Sequence, residues 1–324
     1  MSDGSSSRAE NYLSPETLVQ LAPFELRAKM VVEGVMSGMH RSPYQGMAVE
    51  FAEHRQYVPG DDLKHLDWKV YGRTDKLYIK QYQQETNLDV GLLVDRSAWM
   101  RFGTRGVKGA WGGTTASAAT GQWTKFDCAT AIAVATAYLC LNQQDRVGLV
   151  VFADEIRAMV NRSSSTGQWR RLVNTLNVDP VDSTTEFETV TNQVLGKVSN
   201  RALFVIISDF FADPEEVRQA LARFRYRRHD VVLLQVLDRE ELRFDYRQPA
   251  PFEGLEGEGR LRVDPRALRG AYLDALRRHN SEIEKIARGF GFDYQRFDTH
   301  EEVGPALAYI LARRHAAAKR SKMS

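Results

Sequence analysis

The pattern of apolar and polar positions predicts alternating strands and helices over most of the chain. Short apolar runs of the kind found in buried strands are separated by longer segments with helical periodicity. The predicted strands cover residues 90–94, 146–152, 202–207, 231–237 and 292–296, with 155–160 pairing antiparallel to 146–152. The predicted helices cover residues 126–141, 168–176, 187–198, 213–228, 265–289 and 301–316. This alternation indicates an α/β fold: a doubly wound, mainly parallel sheet with helices on both faces.

The first 86 residues have a different character and predict a smaller helical/β module. Residues 14–36 combine an N-cap serine, a first-turn proline and a helical apolar stripe, so they predict a helix. A loop at 34–46 and a short strand at 77–82 follow. We therefore divide the chain into a disordered N-terminus (1–13), an N-terminal module (14–86), an α/β domain (87–315) and a basic tail (316–324).

Composition narrows the classes of function. The net charge is only +2, with 44 basic and 42 acidic residues, which gives no argument for a nucleic-acid partner. No run of 18 apolar residues occurs, so we expect no membrane span. Cys128 and Cys140 lie in one predicted helix, about 18 Å apart along its axis, too far for a disulfide. With no apolar signal core at the N-terminus, we expect a cytoplasmic protein.

Oxygen-bearing side chains follow two of the predicted strands. Asp95 and Ser97 come after the strand at 90–94, and Ser208 and Asp209 come after the strand at 202–207. Because ligands bind at the carboxyl ends of the strands in open α/β sheets, we expect these side chains to form one site. Carboxylate and hydroxyl oxygens are the ligands that Mg²⁺ prefers. Capping of nearby backbone N–H groups is the alternative role for the same residues.

A long motif in the N-terminal module resembles the signature of the DUF58 family. Glu50 to Asp62 reads E-F-x-E-x-R-x-Y-x-P-G-D-D, and Asp67-Trp68 follows. The resemblance extends over about residues 14–315. It implies a von Willebrand factor A-like second domain that carries a metal-ion-dependent adhesion site (MIDAS). It also implies a partner, because family members are typically encoded beside MoxR-type AAA+ ATPases.

The MIDAS pattern transfers to this chain incompletely. Asp95, Ser97 and Asp209 match the first acid, the first serine and the late acid, and Thr185 matches the threonine, with Thr184 as a close competitor. The second serine falls on Trp99, which has no oxygen for a cation. The resemblance therefore implies a MIDAS-like site for Mg²⁺ or Mn²⁺ that one substitution leaves incomplete.

Two further regions have alternative interpretations. The charged residues of the signature form either a structural ion-pair network or a binding surface; they are Glu50, Arg55, Asp61, Asp62, Asp67 and Arg73. The long segment 103–124 is interpreted as an insertion, with a functional lid as the alternative. We expect Trp68 and Trp99 to be packing residues.

Three hypotheses for the function remain open. The first is a non-enzymatic protein-interaction module that acts with a MoxR-type ATPase through the MIDAS-like site. The second is a Mg²⁺-dependent phosphotransferase-like enzyme with Asp95 at the strand tip, although such enzymes need a second Asp where Ser97 stands. The third is a scaffold that has lost metal binding, which Trp99 favours. Of these, the sequence favours the non-enzymatic interaction module.

Overall fold

The computed structural model describes residues 49–58, 66–84, 89–106, 121–142, 144–246, 250–253, 259–301 and 303. The chain divides into two compact units: a small unit, Glu33–Asn87, and a large unit that contains Leu88–Ser324. The predicted helix at 14–36, the loop at 34–46, the basic tail and nearly all of the predicted helix at 301–316 lie outside the described residues.

The regular elements are named in chain order. The strands are β1 (Val49–Gln56), β2 (Tyr78–Gln84), β3 (Asp89–Asp95), β4 (Arg105–Gly106), β5 (Gln122–Trp123), β6 (Arg146–Phe152), β7 (Ile156–Ser163), β8 (Leu203–Ser208), β9 (Asp230–Leu237), β10 (Ala250–Glu253), β11 (Arg260–Val263) and β12 (Asp293–Asp298). The helices are α1 (Trp68–Thr74), α2 (Lys125–Asn142), α3 (Gln168–Leu176), α4 (Phe187–Gly196), α5 (Pro214–Tyr226), α6 (Arg239–Arg243) and α7 (Pro265–Gly289). A short 3-10 helix, Ala98–Arg101, follows β3.

A six-stranded sheet forms the centre of the large unit. Its strand order is β12-β9-β8-β3-β6-β7. Only β7 runs antiparallel to its neighbour in this sheet, and the other pairs are parallel. The chain builds outward from β3 to β6 and β7, then returns to the other side of β3 for β8, β9 and β12. The predicted fold class, an α/β fold with a doubly wound and mainly parallel sheet, is confirmed.

Both faces of the sheet are buried, as the continuous apolar runs predict. Successive side chains of a strand point to opposite faces, so Leu92 and Val94 join one core cluster and Leu93 joins the other. Helices α2 and α3 cover the first face, while α4, α5 and α7 cover the second. The described helices include none that is both long enough and apolar enough to span a bilayer. Cys128 and Cys140 both lie in α2, and neither forms a disulfide.

The small unit contains two strands and a helix. β1 and β2 pair antiparallel, with a bulge between Phe51 and Glu53. Asp67 is buried and caps α1 by accepting hydrogen bonds from the backbone N–H groups of Lys69 and Val70. Trp68 is 66% exposed, so its predicted packing role is wrong. No residue of α1 is buried, and the ring of Trp68 meets that of Tyr71 edge to face, with 6.2 Å between ring centroids.

The connecting segments add local structure. β4 and β5 form a two-residue antiparallel ladder at the two ends of the long segment 103–124, whose residues 107–120 lie outside the described part. Strands β10 and β11 pair antiparallel between β9 and α7. The same stretch contains the short helix α6, which was not among the predicted helices. The physical reason for this helix is a capping box, in which Asp238 and Glu241 satisfy each other's backbone N–H groups.

Candidate functional site at the carboxyl edge of the sheet

The strand register brings the two predicted tips to one edge of the sheet. β3 and β8 are adjacent and parallel, with Val94 opposite Ile207. Asp95 ends β3, while Ser208 ends β8 and is followed by Asp209. The strand order reverses between β3 and β8, so this pair forms the topological switch point of the sheet. Ligand sites in such sheets usually lie at this point.

The carboxylate of Asp95 is fully buried and accepts three hydrogen bonds. Its Oδ1 accepts from the backbone N–H of Ser97 at 2.8 Å. Its Oδ2 accepts from the hydroxyl of Ser208 at 2.6 Å and from that of Thr185 at 2.9 Å. Three of the four predicted ligands, namely Asp95, Ser97 and Thr185, therefore lie together. Thr184, the competitor of Thr185, is exposed.

The environment of Asp95 raises the pKa of its carboxyl group above the ordinary value for an aspartate in water. Burial, together with the negative charge of Asp209, raises its pKa to about 6. The hydrogen bonds from Ser208, Ser97 and Thr185 act in the opposite direction because they stabilise the carboxylate. The group is consequently ionised at pH 7 but gains a proton under mildly acidic conditions.

Asp209, the fourth predicted ligand, contacts a buried lysine. The Nζ of Lys125 donates to Oδ2 of Asp209 at 2.8 Å and to Oε1 of Glu241 at 2.8 Å. Lys125 is the first residue of α2, and its side chain is fully buried. Burial alone would lower the pKa of its ammonium group, but the charges of Asp209 and Glu241 outweigh burial and raise it above the ordinary value. Lys125 is therefore a permanent cation at this edge.

Backbone N–H groups occupy the remaining oxygens of the two carboxylates. Oδ1 of Asp209 accepts from the N–H of Phe211 at 3.1 Å. Oε2 of Glu241 accepts from the N–H of Asp238 at 2.7 Å, as part of the capping box of α6. Each acid thus has one oxygen on Lys125 and the other on the main chain, which satisfies both buried carboxylates.

An aromatic side chain lies against the ammonium group, and a second one packs against the first. The ring of Phe211 has its centroid 4.8 Å from Nζ of Lys125, a cation–π distance. Trp99 meets Phe211 edge to face, with 6.3 Å between ring centroids. Both rings are half-buried. The residue at the position of the second MIDAS serine thus packs against an aromatic neighbour, in line with the packing role expected for Trp99.

These groups, as arranged, do not fit a divalent cation. Asp209 is engaged by Lys125, and the hydroxyls of Thr185 and Ser208 direct their protons at Asp95. In the described part of the chain, no group of three or more His, Cys, Asp or Glu side chains could hold a metal ion. Magnesium needs near-octahedral oxygen geometry, and Trp99 supplies no oxygen.

Sequence reasoning missed Lys125 and Glu241, whereas it placed Ser208 in the same site as Asp95. The signal for Glu241 was available, because Asp238 with an acid three residues later is a capping-box pattern. Lys125 is a charged residue at the start of a strongly apolar helix, which marks it as unusual. Its partners are 84 and 116 residues away in the chain, so the pattern alone could not identify them.

The sequence profile described as "Protein of unknown function DUF58" matches residues 53–282. The chain belongs to the DUF58 family. Among curated relatives, the "Uncharacterized protein Rv1480" of Mycobacterium tuberculosis is 26% identical over 314 residues, which cover 94% of this chain and 92% of the relative. The "Uncharacterized protein Mb1516" of Mycobacterium bovis matches with the same identity and coverage. These two relatives therefore align along nearly their whole length.

Solved structures similar to this DUF58 chain have low sequence identity. The "conserved hypothetical protein BatB" from Bacteroides thetaiotaomicron is 14% identical, with a TM-score of 0.41, and the match covers 70% of this chain and 98% of that one. The "SpRpn10 VWA domain" is 12% identical, with a TM-score of 0.38 and coverage of 68% and 94%. The assignment of the fold rests on the strand order and register.

Proposed function

We propose that this DUF58 protein is a non-enzymatic interaction module whose partner binds the carboxyl edge of the large unit's sheet. The observation that carries the proposal is the contrast between Asp95 and the aromatic pair beside Lys125. The carboxylate is fully buried and hydrogen-bonded at both oxygens, whereas the rings of Trp99 and Phe211 are partly exposed. Partly exposed aromatic side chains are frequent anchors of protein interfaces.

The same contrast argues against the phosphotransferase-like alternative. A carboxylate nucleophile must reach its substrate, but Asp95 has no exposed surface. Each of its oxygens also accepts at least one hydrogen bond that an attacking carboxylate would have to release. Ser97 occupies the position where such an enzyme needs a second acid. We accordingly propose no catalytic role for Asp95.

The proposed partner is a MoxR-type AAA+ ATPase, which the resemblance to the family implies. Backbone bonds hold the loop that carries Trp99 in place, because the N–H of Ala98 donates to Ser183 and the N–H of Val181 donates to Arg96. A loop fixed in this way loses little conformational entropy on binding. The aromatic pair can therefore serve as a preorganised contact for a partner surface.

A binding measurement with matched variants tests the proposal. The chain is titrated into a labelled MoxR-type ATPase encoded beside its gene, first as wild type and then as Trp99→Ala. We expect the variant to bind at least about tenfold more weakly, as for the loss of an aromatic anchor. Tyr226→Ala is the control, because Tyr226 is 86% exposed and ends α5, at the opposite edge of the sheet. Equal affinity for wild type and a folded Trp99→Ala protein would refute the proposed surface.

A further inference from the structure

Three acidic side chains from distant parts of the chain meet at the carboxyl edge. Asp95, Asp209 and Glu241 are 0%, 2% and 8% exposed. Buried carboxylates without a compensating cation are strongly unfavourable, so such a cluster needs a positive charge inside the protein. In a MIDAS, a divalent cation would supply that charge.

In this chain the positive charge belongs to the protein itself. The ammonium group of Lys125 lies 2.8 Å from Asp209 and 2.8 Å from Glu241, and its side chain is fully buried. Asp95, which has no contact with Lys125 among the hydrogen bonds of the site, is instead satisfied by Ser97, Thr185 and Ser208. Every carboxylate of the cluster thus has its partners without an added ion.

The ring of Phe211, backed by that of Trp99, covers the side of the ammonium group that a metal ion would need to keep open. A cation site needs open coordination positions and a route for water or for a partner's carboxylate. Here Phe211 lies against the ammonium group, and Trp99 packs against Phe211. The replacement of a serine by tryptophan and the presence of Lys125 are therefore two parts of one arrangement.

We propose that the Lys125 ammonium takes the place of the divalent cation, so that the carboxyl edge of this protein is assembled without metal. The partner of the proposed interaction would then contact an aromatic surface, and no carboxylate of the partner completes a metal shell. This inference concerns the chemistry inside the site, and it stands whether or not the partner is an ATPase.

Titration with Mn²⁺, followed by the electron paramagnetic resonance signal of the free ion, tests the inference on the wild-type chain. Up to about 1 mM Mn²⁺, we expect no binding that depends on Asp95. This limit is chosen because the dissociation constants of weak protein sites for hard cations extend to about 1 mM. Any residual binding should be the same in Asp95→Asn. The inference would be overturned if the wild-type chain bound Mn²⁺ below about 1 mM and a folded Asp95→Asn protein did not. A failure of ATPase binding leaves this readout unchanged.

Lys125→Ser provides the complementary test. The substitution removes the internal cation and leaves Asp209 and Glu241 facing an open space. We expect this variant, if its circular dichroism shows a folded protein, to bind Mn²⁺ at least about tenfold more tightly than wild type and to gain thermal stability from the ion. The exposed Lys285→Ser is the matched control and should behave as wild type. A folded Lys125→Ser protein that gains no affinity for Mn²⁺ would also contradict the inference.

Discussion

The ammonium group of Lys125 lies 2.8 Å from the carboxylate of Asp209, and both side chains are buried. The two residues come from different layers: Lys125 begins a helix on one face of the sheet, and Asp209 follows a central strand. Glu241, in helix α6, also contacts the ammonium group of Lys125. These two salt bridges join three distant parts of the chain at the edge where we propose that a partner binds.

Removing the lysine side-chain charge should destabilise the large unit. Lys125→Met leaves Asp209 and Glu241 buried without their cation, a change that typically costs about 3–5 kcal/mol of unfolding free energy. Urea denaturation at pH 7 measures the loss. Lys285→Met, at an exposed site, should change the free energy of unfolding by less than about 0.5 kcal/mol. Similar stabilities for the two variants would show that the ion pair contributes little.

Neutralising the acids together with the lysine should recover stability. In a protein that carries Lys125→Met, Asp209→Asn and Glu241→Gln, the cation and its two partner carboxylates are all replaced by neutral side chains. We expect at least about half of the 3–5 kcal/mol to return, because replacing a whole buried ion cluster is often close to neutral. The same urea denaturation measures the recovery. A triple variant less stable than Lys125→Met alone would contradict this reasoning.

Asp95 should titrate near pH 6 in the folded protein. Its pKa is raised from 3.8 in the unfolded chain to about 6, chiefly by burial. Between these values the folded state binds more protons than the unfolded state, so this group's contribution to stability falls as the pH rises from about 4 to about 6. The difference in unfolding free energy between wild type and Asp95→Asn should change by an amount on the order of 1–3 kcal/mol over this range. A carboxyl carbon NMR titration of Asp95 with a midpoint near 4 would rule this out.

Neighbouring substitutions should move that midpoint in opposite directions. Ser208→Ala removes a hydrogen bond that stabilises the carboxylate, so it should raise the pKa of Asp95 further. Asp209→Asn removes a nearby negative charge and should lower the pKa. The same NMR titration measures both shifts. Two shifts of the same sign would mean that the environment of Asp95 differs from the one described.

A glycine in the central strand tests the packing beneath the site. A Cβ on Gly91 would lie 2.7 Å from the ring of Phe204 in β8. Gly91→Ala should therefore reduce the unfolding free energy by about 1–3 kcal/mol, as overpacked cores do. Gly270→Ala, in α7 with nothing within 4 Å of the added methyl group, should instead raise it by about 0.5–1 kcal/mol. Chemical denaturation compares the two, and equal effects would mean that β3 and β8 are not so tightly packed.

The fold of the large unit was predictable because its strands are continuous apolar runs. Residues 146–152, 168–176 and 265–289 were predicted with the bounds that the structure has. In β1, by contrast, charged and polar residues interrupt the apolar ones, so its sequence carries no signal of burial; among the described strands it pairs with β2 alone. The short helices α1 and α6 depend on capping by Asp67 and Asp238, a local effect that apolar periodicity does not reveal.

The candidate site was predictable only in part. The position of Asp95 and Asp209 at one edge follows from the parallel register of their strands. The role of Lys125 does not, because it depends on contacts with residues 84 and 116 positions away. The MIDAS motif is also defined by hydroxyl and carboxylate positions alone, so it contains no position at which a lysine would be expected. The chemistry of the site therefore emerged only from the three-dimensional structure.

Hydrogen–deuterium exchange of the chain with and without the MoxR-type ATPase tests the central claim most directly, because it locates the surface that a partner covers. We predict that binding slows exchange in residues 96–101 and 210–212, around Trp99 and Phe211. Exchange at 226–229, at the opposite edge of the sheet, should not change. Protection confined to 226–229, or saturating binding with no change at 96–101 and 210–212, would contradict the account.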